Sequence, residues 1–172
     1  MRKNWLAVFV LLGLAGALGL RAEIIDRIVA VVGAQAITGS EVEREARLEA
    51  FFNGQPPPAG LSGRSPEYRA LLERVIEQRL IQREMEQTKF PPADDEQVKK
   101  RLQQLRPAAA DPAKYSLREQ DLIEYAGRIE NTGRFLALRF PGTKQTADSE
   151  LEAWLKDLRG SVGVRILEEE KP

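Results

Sequence analysis

The stretch DRIVAVVGAQAITGSE, residues 26–41, decides how the fold begins. Its first half belongs to a run rich in Ile and Val from Ile24 to Val32, and Gly33-Ala34-Gln35 separates this run from the short apolar piece Ala36-Ile37. Two such runs, joined by a short segment that contains glycine, are typical of a β-hairpin. The sequence therefore predicts a small hairpin at the start of the folded chain.

The end of the same stretch predicts the start of a helix. Thr38 and Glu41 stand three residues apart, so the Thr38 hydroxyl can accept from the N–H of Glu41 while the Glu41 carboxylate accepts from the N–H of Thr38. An amphipathic stretch up to about Phe52 follows this capping box. The hairpin is thus expected to lead directly into a first helix.

Four further helices are predicted from capping and breaking residues. Three consecutive prolines in the loop Asn53–Gly63 exclude both helix and strand there. Caps and apolar periodicity then predict helices from Ser65-Pro66 to about Thr88, from Asp94 through Leu105, from Ser116 and Glu119 to Pro141-Gly142, and from near Asp148 to Gly160.

The alternation of Val162, Val164 and Ile166 predicts a short strand within Ser161–Leu167. A lone strand cannot satisfy its own backbone groups, and the other predicted strands lie at the opposite end of the chain. We therefore expect it to pair with the hairpin at residues 26–38. The predicted fold class is mainly α with a small β-sheet. About five helices lie between the hairpin and the C-terminal strand, and the pairing of these two ends closes the domain.

The first 22 residues have the organisation of a secretory signal peptide, with a basic start, an apolar run from Trp5 to Leu20, and Ala22 at the end. The sixteen apolar residues would reach about 24 Å as a helix, which is shorter than a hydrocarbon core of roughly 30 Å. We expect cleavage after Ala22, a periplasmic location and no stable membrane span afterwards. Residues 23–172 are expected to form a single domain, which the segment 148–167 closes. A retained signal anchor is the alternative.

The composition excludes whole classes of chemistry. The 172 residues include no cysteine and no histidine, which excludes disulfides, zinc fingers, haem histidine ligands and nucleophiles activated by histidine. Loss of Arg2, Lys3 and Arg21 with the signal peptide lowers the 26 basic side chains to 23, against 26 acidic ones, and a mildly acidic protein is a poor binder of nucleic acid. The carboxylates of Asp94–Glu96 are interpreted as partners of a helix dipole. We expect no metal, no cofactor and no nucleic-acid partner.

Three segments carry a resemblance to a known family. Asp26–Val32, followed by a tight turn, Ile37-Thr38 and an acidic amphipathic helix, resembles the start of the SurA-type periplasmic chaperones, whose N-terminal domain is related to those of secreted parvulin-type foldases. Leu72–Gln82 resembles the second long helix of that domain, and Leu151–Arg159 with Val162–Ile166 resembles the helix and strand that complete it. The resemblance spans nearly the whole mature chain.

The chain departs from this family in two ways. Gly33-Ala34-Gln35 replaces a turn that usually carries Asn or Asp with an acidic residue. Only Gly142–Ala147 stands where the family normally places its parvulin isomerase domains, and the histidines that parvulin sites use are absent. The resemblance therefore implies a protein that is not an enzyme: a chaperone without isomerase activity.

In function, the resemblance implies a chaperone-like protein that binds segments of unfolded outer-membrane or secreted proteins, its clients, through an apolar groove. Two alternatives stay open, a peptidyl-prolyl cis-trans isomerase activity and a non-catalytic scaffolding role in an envelope complex. Client identity and oligomeric state do not follow from the sequence.

The candidate client-binding residues are two adjacent aromatics beside the Pro-Gly loop and two members of the wide apolar stripe of the long helix, namely Phe51, Phe52, Leu72 and Ile76. Consecutive helical residues diverge by about 100°, so the two phenylalanines cannot face the same core. The phenylalanine that does not face the core is therefore either exposed, where it could bind apolar client segments, or packed against the Pro-Gly loop. Trp154 has helical spacing with Leu151 and Leu158, which favours packing in the core over lining a groove.

Overall fold

The computed structural model describes residues 26–61, 63, 65–108 and 110–167. They form, in chain order, β1 (Ile28–Val32), β2 (Gln35–Thr38), α1 (Gly39–Phe52), α2 (Pro66–Gln87), α3 (Asp95–Leu105), a 3-10 helix (Pro112–Tyr115), α4 (Glu119–Arg139), α5 (Lys144–Val162) and β3 (Val164–Ile166). In this part of the chain the predicted fold class is confirmed, with five α-helices and a small sheet. The expected signal peptide, its cleavage site and the tail from residue 168 lie outside the described residues.

The sheet joins the two ends of the described chain. β1 is the central strand, and β2 and β3 pair with it antiparallel on either side. Val31 of β1 lies opposite Ala36 in β2 and opposite Arg165 in β3. Just beyond β3, the N–H of Leu167 donates to the carbonyl of Val29 at 2.9 Å. The expected pairing of the C-terminal strand with the hairpin is therefore confirmed.

The predicted capping box at the start of α1 is also confirmed. The N–H of Thr38 donates to the Glu41 carboxylate at 3.0 Å, and the N–H of Glu41 donates to the Thr38 hydroxyl at 3.4 Å. The Asp26 carboxylate accepts from the N–H of Ser40 at 3.1 Å and fastens the start of the described chain to the same helix end. Two separate acidic side chains thus satisfy backbone donors where β2 becomes α1.

Apolar side chains of the sheet, α1 and α2 form the first of two core clusters, with Val32, Ile37, Val42 and Ile76 at its centre. Leu158 and Val162 of α5 cover its edge. The second cluster joins the end of α1 to the start of α4 through Leu48, Phe51, Leu117 and Leu122. None of the described helices has the length and apolar content that a membrane crossing requires.

The start of α4 differs from the expected one. Asp111 caps the 3-10 helix, and Ser116 follows it in the left-handed conformation, with φ of 54°, so Ser116 is a turn residue and not a helix cap. The helix begins at Glu119, where the Asp121 carboxylate accepts from the N–H of Arg118 at 2.7 Å. The Asp121 carboxylate thus satisfies one backbone donor at this helix end.

The bounds of α5 also differ from the expected ones. This helix begins at Lys144, four residues before Asp148, and it passes through Gly160 to end at Val162. The left-handed residue that ends it is Gly163, with φ of 77°, because only there does the chain turn into β3. Val162 is consequently helical and not part of the strand, and the closing unit spans 144–167.

Candidate functional site

The four predicted client-binding residues are not gathered at the surface. Phe51, Leu72 and Ile76 are buried, the first in the second core cluster and the other two in the first. Phe52 is half-buried and stacks on Tyr125, with ring centroids 4.6 Å apart and planes 13° apart. The sheet, α1 and α5 cover the apolar stripe of α2, which is why its residues have no exposed surface to offer a client.

A polar cleft lies between α1, α2 and α4. Arg44 bridges Asp121 and Glu124 with nitrogen–oxygen distances of 2.7 Å to each. Arg128 pairs with the buried Glu45 at 2.6 Å. Arg79 of α2 pairs with Glu41 at 2.7 Å. Each of the four carboxylates that line the cleft therefore already has an arginine partner.

Two titratable groups of this cleft have pKa values that are shifted away from neutral pH. The hydrogen-bonded Arg118 guanidinium lowers the pKa of the Asp121 carboxyl, whereas burial raises the pKa of the Tyr125 hydroxyl. A general acid or base works best with a pKa near the working pH, and both of these groups have moved away from it. We interpret the cleft as an ion-pair network that holds α4 against α1 and α2.

A second feature is a row of aromatic rings contributed by three separate segments. Phe90 follows the end of α2, Phe135 lies in α4, Phe140 follows α4, and Trp154 lies in the middle of α5. The ring of Phe135 lies between two others, 5.3 Å from Phe90 and 6.1 Å from Trp154 between centroids. Phe140 continues the row at 5.6 Å from Trp154. Of the four rings, only Phe135 is buried; the other three are half-buried.

Two arginines lie over this row, one towards each end. The Arg134 guanidinium carbon is 5.4 Å from the centroid of Phe90. Arg139 lies over Trp154 at 4.8 Å and over Phe140 at 5.8 Å. Such distances are within the range of cation–π attraction. We call these six residues, Phe90, Phe135, Phe140, Trp154, Arg134 and Arg139, the arginine-aromatic surface.

The backbone at the end of α2 turns sharply to bring Phe90 into this row. Lys89 adopts the left-handed conformation, with φ of 51°, and the N–H of Phe90 donates back to the carbonyl of Met85 at 2.9 Å. Asn131 of α4 holds the next segment by accepting from the N–H of Ala93 at 2.6 Å. A shallow groove runs beside Phe90 between Met85, Pro92 and Asn131.

Exposed apolar area extends the arginine-aromatic surface along α4. Leu138 is 74% exposed and lies three residues after Phe135, a spacing that puts both on the same side of the helix. The arrangement therefore offers apolar, aromatic and cationic groups to a ligand from one face.

Sequence reasoning did not identify the arginine-aromatic surface, and it assigned Trp154 to the core. A signal was nevertheless present, because Lys89-Phe90-Pro91 and Arg139-Phe140-Pro141 repeat the same order of a basic residue, phenylalanine and proline. In each case the proline follows the end of a helix, so the phenylalanine leaves the helical face. Only the folded chain shows that Phe90 meets Phe135 and Phe140 meets Trp154, so that both phenylalanines join one row.

Among the described residues, no group of three or more acidic side chains is arranged to hold a metal ion. Asp94 caps α3 instead, accepting from the N–H of Gln97 at 2.8 Å. No protein-family model, curated protein or solved structure matches the chain.

Proposed function

We propose that this chain is a non-catalytic, chaperone-like protein that is exported to the periplasm and binds unfolded segments of outer-membrane or other envelope proteins. The arginine-aromatic surface is the proposed binding site. This proposal keeps the function that the SurA-type resemblance implies and moves the site from Phe51, Phe52, Leu72 and Ile76 to the surface around Phe90 and Trp154.

The main observation behind the proposal is the aromatic row, in which three of the four rings are only half-buried. An unfolded segment exposes aromatic and aliphatic side chains, and favourable ring–ring contacts contribute about 0.5–1.5 kcal/mol each beyond the area that they bury. Phe90, Phe140 and Trp154 offer three ring faces or edges for such contacts without a deep, shape-specific pocket. A shallow surface of this kind suits varied segments better than a single ligand.

Two further observations support the proposal. The order of the elements, with a hairpin first and a helix and strand that close the fold, agrees with what the resemblance implies. The charged cleft, where a catalytic group would be sought first, consists mainly of paired side chains, and the pKa values of its Asp121 and Tyr125 are shifted away from neutrality. A binding function needs neither a free base nor a nucleophile.

The direct test measures aggregation of a urea-denatured outer-membrane protein by light scattering after dilution. We expect the mature protein in several-fold excess to slow the aggregation. Trp154→Ala should weaken this effect strongly and Leu138→Ser more mildly, because Leu138 is exposed and its loss does not disturb the core. Unimpaired aggregation with the unmodified protein would leave the scaffolding alternative as the better one.

Ile123→Ser is the matched control for Leu138→Ser. Ile123 is also an exposed aliphatic residue of α4, but it lies fifteen residues earlier, about 22 Å along the helix axis. Its substitution should leave the aggregation assay unchanged. Circular dichroism of each variant separates a lost surface from a lost fold, and equal loss of activity in both serine variants would contradict the assignment of the site.

A second assay addresses the isomerase alternative. Addition of the protein to a refolding reaction limited by prolyl isomerisation should not change the rate, since we propose no catalytic site. An accelerated reaction would make the non-catalytic assignment wrong. Fractionation of cells followed by intact-mass measurement tests the location, and we expect a periplasmic species that begins at Glu23.

A further inference from the structure

We infer that the arginine-aromatic surface prefers unfolded segments in which aspartate or glutamate lies close to an aromatic or aliphatic residue. This inference rests on the proposed function and adds to it a charge preference. It concerns what the two arginines do, whereas the proposed function rests on the rings.

The arginines of this surface differ from those that build the fold. Arg44, Arg74, Arg79 and Arg128 each have a carboxylate oxygen within 2.7 Å. Across the described residues, by contrast, no carboxylate pairs with Arg134 or Arg139 within 4.0 Å; Arg134 has one long hydrogen bond, to the carbonyl of Pro91 at 3.4 Å. Both guanidinium groups therefore keep donors for an incoming acceptor.

Their position on ring faces makes these donors useful. A guanidinium group that lies over an aromatic ring still has its N–H groups along its edge, where a carboxylate can accept two of them in parallel. The rings also replace part of the water around the guanidinium, which strengthens attraction to a carboxylate. A segment with an apolar side chain against Trp154 and a nearby carboxylate could use both features of Arg139 at once.

Other charged side chains also lie around the surface. Lys89 and Glu86 both line the groove beside Phe90, and Glu86 accepts from the Gln82 amide at 2.9 Å. Glu130, the acidic residue of α4 closest in sequence to Arg134, is paired with Arg101 at 2.8 Å. The carboxylates beside Phe90 and Arg134 thus have partners, whereas Glu150 and Asp157 of α5, four residues before and three residues after Trp154, are exposed and form no ion pair in the described part of the chain.

Labelled peptides of identical apolar content test the preference. One peptide carries aspartate on both sides of an aromatic pair, a second carries asparagine and a third carries lysine at the same positions. We expect fluorescence anisotropy to show about 5- to 20-fold tighter binding of the aspartate peptide than of the asparagine peptide, as expected from two partly exposed charge pairs. This difference should shrink at high salt.

Variants assign the preference to the two arginines. Arg134→Gln with Arg139→Gln should abolish the difference between the peptides, so that the aspartate and asparagine peptides bind with equal affinity. Arg69→Gln with Arg165→Gln is the matched control, because both arginines are exposed and also lack a carboxylate partner in the described part of the chain. In the mature protein, which lacks Trp5, Trp154 is the single tryptophan, and its emission reports contact at the surface itself.

The outcomes separate the inference from the function. Equal binding of the aspartate and asparagine peptides, with aggregation still suppressed, would overturn the charge preference alone. Failure of all peptides to bind, with aggregation unaffected, would overturn both. Binding to vesicles of anionic lipid that is lost in the double arginine variant, without any preference among the peptides, would overturn the inference in favour of a membrane-facing surface.

Discussion

The Arg128 guanidinium of α4 donates to both carboxylate oxygens of Glu45 on α1, at 2.6 and 2.8 Å. Glu45 is buried, and the Gln78 amide of α2 donates to it as well, at 3.2 Å. One carboxylate thus connects three helices. Such a pair need not add net stability, but it specifies how the helices are arranged, because any other arrangement would leave a buried charge without a partner.

We predict that Arg128→Ala lowers the free energy of unfolding by about 3 kcal/mol or more, since it leaves the buried Glu45 charge with only an amide donor. Urea unfolding followed by circular dichroism measures the change. Arg106→Ala is the control, because the Arg106–Glu119 pair is exposed on both sides and should contribute less than about 1 kcal/mol. Equal losses in the two variants would contradict a buried structural role for Glu45.

Acid should destabilise the fold in part through Asp121. The Arg118 guanidinium, which is hydrogen-bonded to the Asp121 carboxylate, lowers its pKa below the ordinary 3.8, and the Arg118 N–H and Arg44 act in the same direction. A carboxyl whose pKa is lower in the folded state contributes stability above its unfolded pKa and loses it as the pH falls through its folded pKa. We therefore predict a falling free energy of unfolding below pH 3.8.

Urea titrations at several values between about pH 5 and about pH 2 measure this dependence. Asp121→Asn should flatten it, because the amide does not titrate. Asp148→Asn is the control: Asp148 is an exposed residue of α5 with no ion pair among the described residues. An unchanged acid dependence in the Asp121 variant would show that other carboxylates cause the loss.

The sequence predicted the elements whose ends depend on local interactions. The capping boxes at Thr38 and Asp94 and the Ser65-Pro66 start of α2 act within four residues, and all three are found as expected. The pairing of β3 with β1 followed from a requirement of hydrogen bonding that no local alternative could meet. These features needed no knowledge of tertiary packing.

The remaining differences depend on contacts between distant segments. Which of Phe51 and Phe52 is buried depends on Tyr115 and Tyr125, which lie more than sixty residues later in the chain. The arginine-aromatic surface likewise forms only where the ends of α2 and α4 meet α5. Periodicity identifies an apolar helix face but does not show which element covers it, and for this reason three of the four predicted site residues, Phe51, Leu72 and Ile76, are core residues.

Removal of β3 should destabilise the protein. A chain that ends at Gly163 lacks the partners of Ala30, Val31 and Val32 on one side of β1, and two of these three residues are fully buried. At roughly 1–3 kcal/mol for each buried backbone group left unsatisfied, we predict a loss of several kcal/mol and a clearly lower Tm. A chain that ends at Leu167 keeps all of β3 and is the control; equal Tm values for the two would contradict the role of the strand.

The last prediction distinguishes the two glycines at the end of α5. Gly160 lies inside the helix, and a β-carbon there would meet no atom within 4 Å. Alanine restricts the unfolded chain more than glycine and favours the helix, so Gly160→Ala should raise the free energy of unfolding by about 0.5–1 kcal/mol.

Gly163→Ala should have the opposite effect. A β-carbon at Gly163 is also free of contacts, but its φ of 77° is a left-handed conformation that costs a residue with a side chain about 1–2 kcal/mol. Because neither substitution creates a clash, the difference between the two variants in urea unfolding isolates the backbone conformation. If Gly160→Ala were the destabilising one, the helix would end at Gly160, as the sequence pattern alone suggested, and β3 would begin earlier than Val164.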